Sequence, residues 1–233
     1  MNILDDLKLQ YRLGGIAMRV MYWNIACFIV SLIFFYNYSN GLFDFPSWVA
    51  LSSDPQVFMF KPWTFLTYAF FHFGFMHLLF NMLTLWFFAP LVLSYLGNWT
   101  FILVYMGSLI FGNLLTYVFN KNNYSYRAVG ASGAVTGVLY SAILLQPDMM
   151  LGLFFVIPIP AYLFGILYLL YSIYGMKSKN DNIGHSAHFG GAVGGYVITL
   201  IEQPQLLVDH TLMVVLLTIP IIVLFILQRL GKL

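Results

Sequence analysis

Ser132 and His188 are the two residues of this 233-residue chain whose types and surroundings could carry out a reaction. Ser132 follows Gly130-Ala131 at the start of one apolar segment, and His188 lies in a later apolar segment. A serine hydroxyl becomes a nucleophile when a neighbouring base accepts its proton, and histidine commonly serves as that base. The pair therefore predicts hydrolysis of a peptide bond, with Ser132 as nucleophile and His188 as general base.

Two further polar residues could stabilise the negative charge that develops in such a reaction. His77 and Asn81 are four residues apart in an apolar segment, so they lie on one face of a helix. Hydrogen-bond donors aimed at a developing oxyanion contribute about 2.7–4 kcal/mol each in protease sites. A helix that begins at Ser132 would add its unpaired backbone N–H groups to these donors.

Pairs of glycines four residues apart accompany both reactive residues and would allow their helices to approach closely. The pairs are Gly133 with Gly137, Gly190 with Gly194, and Gly191 with Gly195. Glycine pairs also pack membrane helices that have no catalytic function, but a position beside both the serine and the histidine favours catalysis. The glycines expected to pack around the site are Gly130, Gly133, Gly137, Gly191 and Gly195.

The remaining histidines give no sign of a metal site. His72 and His185 lie near predicted membrane boundaries, where we expect an interfacial or solvated position, and His210 lies in a loop. The chain has no HExxH motif, and its one cysteine, Cys27, is distant in sequence from the histidines. We predict neither a metal ion nor a cofactor.

The composition predicts an all-α polytopic membrane protein. Hydrophobic residues make up 61% of the chain and charged residues only 8%, whereas soluble domains carry roughly 25% charged residues. Membrane lipid must therefore contact most of the surface, and a net charge of +2 gives no indication of nucleic-acid binding. The apolar runs are long and continuous, which is typical of membrane helices and not of a β-barrel.

Seven segments are expected to form membrane helices, at about residues 20–38, 76–93, 99–119, 130–146, 160–174, 185–201 and 211–227. The fourth has about 16 residues, too few to cross a hydrocarbon core about 30 Å thick at 1.5 Å per residue. Ser132, at its start, should therefore lie below the membrane surface beside a water-filled cavity.

We divide the chain into three parts. Residues 1–19 are predicted to form a short interfacial tail, residues 20–203 a six-helix catalytic core, and residues 204–233 an additional C-terminal transmembrane helix. The core includes a long first loop at about 39–75, whose prolines, polar residues and tryptophans favour short helical pieces at the level of the lipid headgroups. A polar loop is expected at 177–182.

The motifs resemble those of the rhomboid family of intramembrane serine proteases over about residues 60–200. His77-Leu78-Leu79-Phe80-Asn81 is similar to the family's HxxxN motif, and Gly130-Ala131-Ser132-Gly133 is similar to its GxSG motif. His188, followed by Gly191 and Gly195, is similar to its AHxxGxxxG motif. Trp63 and Phe65 resemble the end of the family's first loop.

This resemblance implies a six-helix core and a role for each residue. Ser132 would attack the scissile carbonyl, and His188 would act as general base and then as acid, without a third carboxylate. His77, Asn81 and the Ser132 N–H would form the oxyanion hole. The substrate would be a transmembrane helix of another protein that enters sideways and unwinds locally.

Three positions depart from the family pattern. The family often has an aromatic residue one turn after the serine that packs on the histidine ring, and this chain has Thr136. Either another residue or the Thr136 hydroxyl must then hold His188. Leu93 stands at the expected position of a family glutamate, and Thr64 replaces the arginine that commonly follows the loop tryptophan.

A compact chain without a transit peptide is consistent with a bacterial inner membrane. The basic residues before the first helix favour a cytoplasmic N-terminus. Those residues are Lys8, Arg12 and Arg19. This orientation leaves other basic residues outside, against the positive-inside rule, namely Lys121, Arg127, Lys177 and Lys179.

Two other functions remain open. A catalytically inactive relative could bind membrane proteins for quality control, as Thr136 and Leu93 would allow. A small transporter or channel could line its path with the same polar residues, although no Asp or Glu falls inside a predicted span.

Overall fold

The computed structural model describes residues 3–153, 156–178 and 183–233, and α-helices dominate them. The helices are α1 (Ile3–Leu13), α2 (Gly15–Phe34), α3 (Pro55–Phe60), α4 (Thr64–Thr67), α5 (Phe75–Asn120), α6 (Ser132–Leu145), α7 (Ala161–Ser178), α8 (His185–Glu202), α9 (Leu206–Asp209) and α10 (Thr211–Arg229). A 3₁₀ turn covers Tyr68–Phe70. Part of the predicted polar loop, including Lys179, lies outside the described residues.

Six short strands, within the residues that the structure describes, form three antiparallel pairs. These are β1 (Tyr36–Asn37) with β2 (Leu42–Phe43), β3 (Leu51–Ser52) with β4 (Arg127–Ala128), and β5 (Met150–Leu153) with β6 (Ile157–Pro160). The β3–β4 pair joins the first loop to the segment just before Gly130, with Leu51 opposite Ala128.

Each of the seven predicted apolar segments forms a helix over most of its length, which confirms an all-α polytopic membrane fold, although the first helix ends at Phe34 and not near residue 38. The second and third segments lie in one element, α5, which bends at Gly97 where the backbone has φ 75° and ψ 177°. Among the described residues, α2, α5 and α10 are long and apolar enough to cross a membrane. Helix α6 has 14 residues and is therefore only about 21 Å long.

One compact unit comprises the chain through Pro90 together with Asn120–Ala131. Its core is an aromatic and aliphatic cluster of Phe45, Val49, Ala50 and Val129, against which three phenylalanines that follow α2 pack, namely Phe35, Phe43 and Phe71. The Trp63 indole N–H donates to the Trp48 carbonyl oxygen at 2.9 Å. These contacts make the first loop an ordered layer and not a loose connection.

The other compact unit comprises Leu91–Phe119 and Ser132–Leu233. Helix α6 is its centre, since every residue from Gly133 to Leu145 is buried. Helix α8 is its closest neighbour, and the Thr199 hydroxyl donates to the Ser141 hydroxyl oxygen at 2.8 Å between them. Helices α8 and α10 are joined by the Tyr196 hydroxyl, which lies 2.7 Å from the Thr218 hydroxyl.

Candidate active site

Helices α6 and α8 approach to backbone contact at their glycines. A Cβ atom added to Gly133 would lie 3.2 Å from the Ala187 carbonyl oxygen. A Cβ atom at Gly191 would overlap the Gly133 carbonyl oxygen, and one at Gly195 would overlap the Gly137 carbonyl oxygen. Any side chain at the two α8 positions would therefore push the helices apart.

Two of the residues that meet at this contact are the direct sequence neighbours of the two candidate catalytic residues. Gly133 follows Ser132 on α6, and Ala187 precedes His188 on α8. The side chains on either side of Ser132 and His188 are buried, whereas Ser132 and His188 themselves are only partly buried. The two reactive side chains thus belong to adjacent helix ends and keep some access to their surroundings.

The His188 ring is held by a tyrosine of α7. The Tyr168 hydroxyl lies 3.0 Å from His188 Nδ1, and the two rings stack with centroids 6.1 Å apart and planes 21° apart. Tyr168 is itself stacked on Phe164, with centroids 5.9 Å apart. Tyr168 therefore takes the place of the aromatic residue that the sequence lacks at Thr136.

Thr136 links the same tyrosine to the backbone of the serine. Its hydroxyl donates to the Ser132 carbonyl oxygen at 2.7 Å and lies 3.3 Å from the Tyr168 hydroxyl. Of the two possibilities raised for holding His188, another residue holds it, namely Tyr168, and the Thr136 hydroxyl contacts that tyrosine. Nothing in the sequence identified Tyr168, because α7 carries several tyrosines at spacings that do not distinguish them.

His77, Asn81 and Gly130 lie in the first compact unit, and Ser132 and His188 lie in the second. The Asn81 side-chain amide donates to the His77 carbonyl oxygen one turn earlier, at 2.8 Å. An amide group has two N–H donors, so this bond uses one of them. The Asn81 side chain is therefore fixed on the face of α5 that carries His77.

Gly130 passes directly beside the His77 ring. Its φ is +125°, and an added Cβ atom would lie 2.6 Å from His77 Cε1 and 2.7 Å from Nε2. The Gly130 N–H donates to the Tyr68 carbonyl oxygen at 3.0 Å, which anchors this segment to the 3₁₀ turn. Glycine is required here for both its backbone conformation and its lack of a side chain.

His72 and His185 occupy buried positions, so a solvated position, one of the two alternatives expected for them, is wrong for both. The His72 ring is fully buried and contacts the His77 ring edge-on, with centroids 4.9 Å apart. Burial, and then the neighbouring His77 ring, lower the His72 pKa from 6.5 to about 3. His185 packs against Gly175, where an added Cβ atom would strike its ring.

Thr64 and Leu93 are the other two positions that depart from the family pattern. The Thr64 hydroxyl is buried and donates to the Lys61 carbonyl oxygen at 2.8 Å. Leu93 is half-buried on α5.

Among the described residues, no three His, Cys, Asp or Glu side chains are grouped so that they could hold a metal ion.

Comparison with known proteins agrees with the motif pattern. The Rhomboid domain family model matches residues 60–205. The chain is 36% identical to the rhomboid protein YdcA of Bacillus subtilis over 141 residues, 60% of this chain and 66% of YdcA. It is 32% identical over 148 residues to RHOMBOID-like protein 12, mitochondrial, of Arabidopsis thaliana, 55% of this chain and 43% of that protein.

A third relative carries a protease name. Rhomboid protease GluP of Bacillus subtilis is 32% identical over 134 residues, 58% of this chain and 25% of GluP. The chain therefore spans less than two thirds of the length of each of these three relatives.

Proposed function

Because the chain belongs to the rhomboid family, we propose that it is an intramembrane serine endopeptidase with a Ser132–His188 dyad. It hydrolyses peptide bonds in or near transmembrane helices of other membrane proteins. The observation that carries this proposal is the contact between α6 and α8, where Gly133 meets the Ala187 carbonyl at the residues adjoining the dyad. The relatives that are named rhomboid proteases support the same reaction.

The proposed reaction proceeds through an acyl-enzyme. Ser132 Oγ attacks the scissile carbonyl carbon while His188 takes the hydroxyl proton, and the protonated His188 then gives that proton to the leaving amine. Water enters, loses a proton to His188 and attacks the ester carbonyl. Ser132 Oγ leaves and recovers the proton, so the enzyme returns to its starting state.

The negative oxygen of each tetrahedral intermediate needs hydrogen-bond donors. The HxxxN resemblance supports His77 and Asn81 in this role, together with the backbone N–H of Ser132 at the start of α6. The fixed Asn81 side chain and the close fit of His77 to Gly130 support preorganised donors. Such donors need no reorientation during the reaction.

The proposed substrate is a helix that can unwind locally. A peptide bond within an intact helix has its carbonyl hydrogen-bonded and shielded, so cleavage requires helix-breaking residues near the scissile bond. We further propose that the protein lies in a bacterial inner membrane with a cytoplasmic N-terminus. Lys8, Arg12 and Arg19 support the orientation, and the Bacillus relatives support a bacterial source.

Labelling with a fluorophosphonate probe tests the dyad in detergent-solubilised protein. Wild type should be labelled, Ser132→Ala should not, and His188→Ala should be slowed by roughly 10³-fold or more because the serine loses its base. Ser141→Ala is the matched control, since Ser141 lies on the same helix and accepts a bond from Thr199. It should label at the wild-type rate.

The outcomes separate the three functions. Folded wild type that neither labels nor cleaves a helical substrate in proteoliposomes would contradict the protease and favour an inactive relative. A cellular effect that survives Ser132→Ala would point the same way. Solute flux that survives Ser132→Ala would instead favour a transporter.

A further inference from the structure

Only one arrangement of protons satisfies all three contacts of the Thr136 and Tyr168 hydroxyls as hydrogen bonds. The Ser132 carbonyl oxygen can only accept, so Thr136 must donate its single hydroxyl proton to it, at 2.7 Å. Toward Tyr168, 3.3 Å away, the Thr136 oxygen can then only accept. Tyr168 must therefore donate its own single proton to Thr136.

The same reasoning assigns the proton on the histidine. With its proton directed to Thr136, the Tyr168 oxygen can only accept from His188 Nδ1, 3.0 Å away. The proton of a neutral His188 must then be on Nδ1, and the lone pair must be on Nε2. Histidine in water prefers the Nε2–H tautomer. The chain of hydrogen bonds from His188 through Tyr168 and Thr136 to the Ser132 carbonyl oxygen, here called the relay, must therefore stabilise the Nδ1–H tautomer.

We infer that Tyr168 is a positioning residue that fixes the Nδ1–H tautomer of His188 and so places the lone pair on Nε2, the nitrogen that accepts the Ser132 proton. The inference rests on the proposed dyad. In serine proteases with a triad, a carboxylate accepts from the corresponding Nδ1–H and its loss leaves the wrong tautomer. Here a phenol oxygen, supplied by α7 and oriented through Thr136, has that task.

The position of the Tyr168 ring does not depend on its hydroxyl. The ring stacks on Phe164 and on His188 and lies 6.4 Å from the Tyr140 ring, between centroids. Tyr140 is held in turn by its hydrogen bond to the Gly165 carbonyl oxygen. Tyr168→Phe should therefore keep the stacked arrangement and remove only the acceptor oxygen.

The experiment measures the tautomer and the labelling rate in the same proteins. Protein with ¹⁵N-labelled histidine is observed by NMR in detergent at neutral pH, and the His188 signals are assigned by their absence in His188→Ala. Wild type should show a protonated Nδ1 and an unprotonated Nε2. Tyr168→Phe should shift His188 toward the Nε2–H form and slow fluorophosphonate labelling of Ser132 by roughly 10- to 100-fold.

Two further variants complete the test. Thr136→Val should shift the tautomer in the same direction but less, because its 3.3 Å contact is the longest link of the relay. Tyr174→Phe, at an exposed position of the same helix, should change neither quantity. Because Thr136→Val leaves Tyr168 intact, it tests the relay even if Tyr168→Phe fails to fold.

The results distinguish this inference from the proposed function. An Nε2–H tautomer in wild type would overturn the inference, as would Tyr168→Phe that labels normally or slows labelling without a change of tautomer. If wild type has the Nδ1–H form but never labels, the tautomer assignment holds and the protease proposal fails.

Discussion

At the residue scale, the lack of a side chain at Gly130 allows the segment before Ser132 to lie against the His77 ring. The Gly130 backbone has a positive φ, and its Cα hydrogens face a ring that an added methyl group would strike at 2.6 Å. His77 cannot withdraw freely, because the fully buried His72 ring packs edge-on against it. A change at Gly130 should therefore act on His77 as well as on the backbone.

Gly130→Ala should destabilise the protein by more than about 2 kcal/mol, since it combines left-handed strain with a collision in a packed region. It should also slow labelling of Ser132. Thermal unfolding in detergent and the labelling rate measure the two effects.

Gly41→Ala is the control for backbone strain alone. Gly41 also has a positive φ, of +72°, but an added Cβ atom would meet only the Tyr36 hydroxyl at 3.7 Å. We expect a loss of about 1 kcal/mol and an unchanged labelling rate. Equal losses for the two variants would contradict the collision with His77.

His72 should make stability depend on pH. The unfolded chain titrates near the ordinary histidine pKa of 6.5, whereas burial lowers the folded pKa to about 3. Between these values the unfolded state binds one more proton, so the free energy of unfolding falls as the pH falls, by about 1.4 kcal/mol per pH unit.

Replacement of His72 by phenylalanine should remove this contribution. The melting temperature in detergent, measured from pH 7 to pH 4, should fall less steeply for His72→Phe than for wild type. Identical pH dependence in the two proteins would show that His72 does not stay neutral in the fold.

At the scale of elements, the glycines near the contact between α6 and α8 differ in how much space surrounds them. An added Cβ atom at Gly184, just before α8, would lie 3.7 Å from Ala187 Cβ of its own helix. One at Gly133 would lie 3.2 Å from the Ala187 carbonyl oxygen, across the contact between the two helices. One at Gly191 would overlap the Gly133 carbonyl oxygen. The three positions therefore form a series from ordinary contact to overlap.

Alanine substitutions along this series should have increasing effects. Gly184→Ala should unfold and label like wild type, Gly133→Ala should lose about 1 kcal/mol, and Gly191→Ala about 3 kcal/mol. Labelling should slow in the same order because the dyad helices separate. Thermal unfolding and labelling in detergent test the order, and tolerance of Gly191→Ala would contradict the backbone contact.

The sequence predicted the helices well because the apolar runs and the polar breaks between them are long and distinct. The break at Gly97-Asn98, for example, is the bend of α5. It could not predict that Tyr168 contacts His188, since the tyrosines of α7 look alike until the neighbouring helix is placed. His72 was misjudged for a related reason, because what covers a residue beside a span is decided by tertiary packing.

At the scale of the second compact unit, α10 supports the helix that carries Tyr168. The Leu217 side chain is fully buried and lies where an added Cβ atom at Gly165 would meet it at 3.0 Å. The Tyr196 hydroxyl donates to the Val214 carbonyl oxygen at 3.0 Å and so ties α10 to α8 as well. Helix α10 thus packs against α7 and α8, the helices that carry Tyr168 and His188.

Leu217→Ala should open a cavity between α7 and α10 and destabilise the protein by about 2–4 kcal/mol. Leu212→Ala, on an exposed face of α10, is the control and should have little effect. Thermal unfolding in detergent compares them. Equal stability of the two variants would contradict a supporting role for α10.

The relay from His188 through Tyr168 and Thr136 to the Ser132 carbonyl consists of uncharged groups when the histidine is neutral. A carboxylate in the place of Tyr168 would bring a full charge out of water, which costs several kcal/mol unless a counter-ion accompanies it. A dipolar acceptor avoids that desolvation and needs no ion beside it. The resting site should therefore be indifferent to ionic strength, and salt in the aqueous phase should leave the reactivity of Ser132 unchanged.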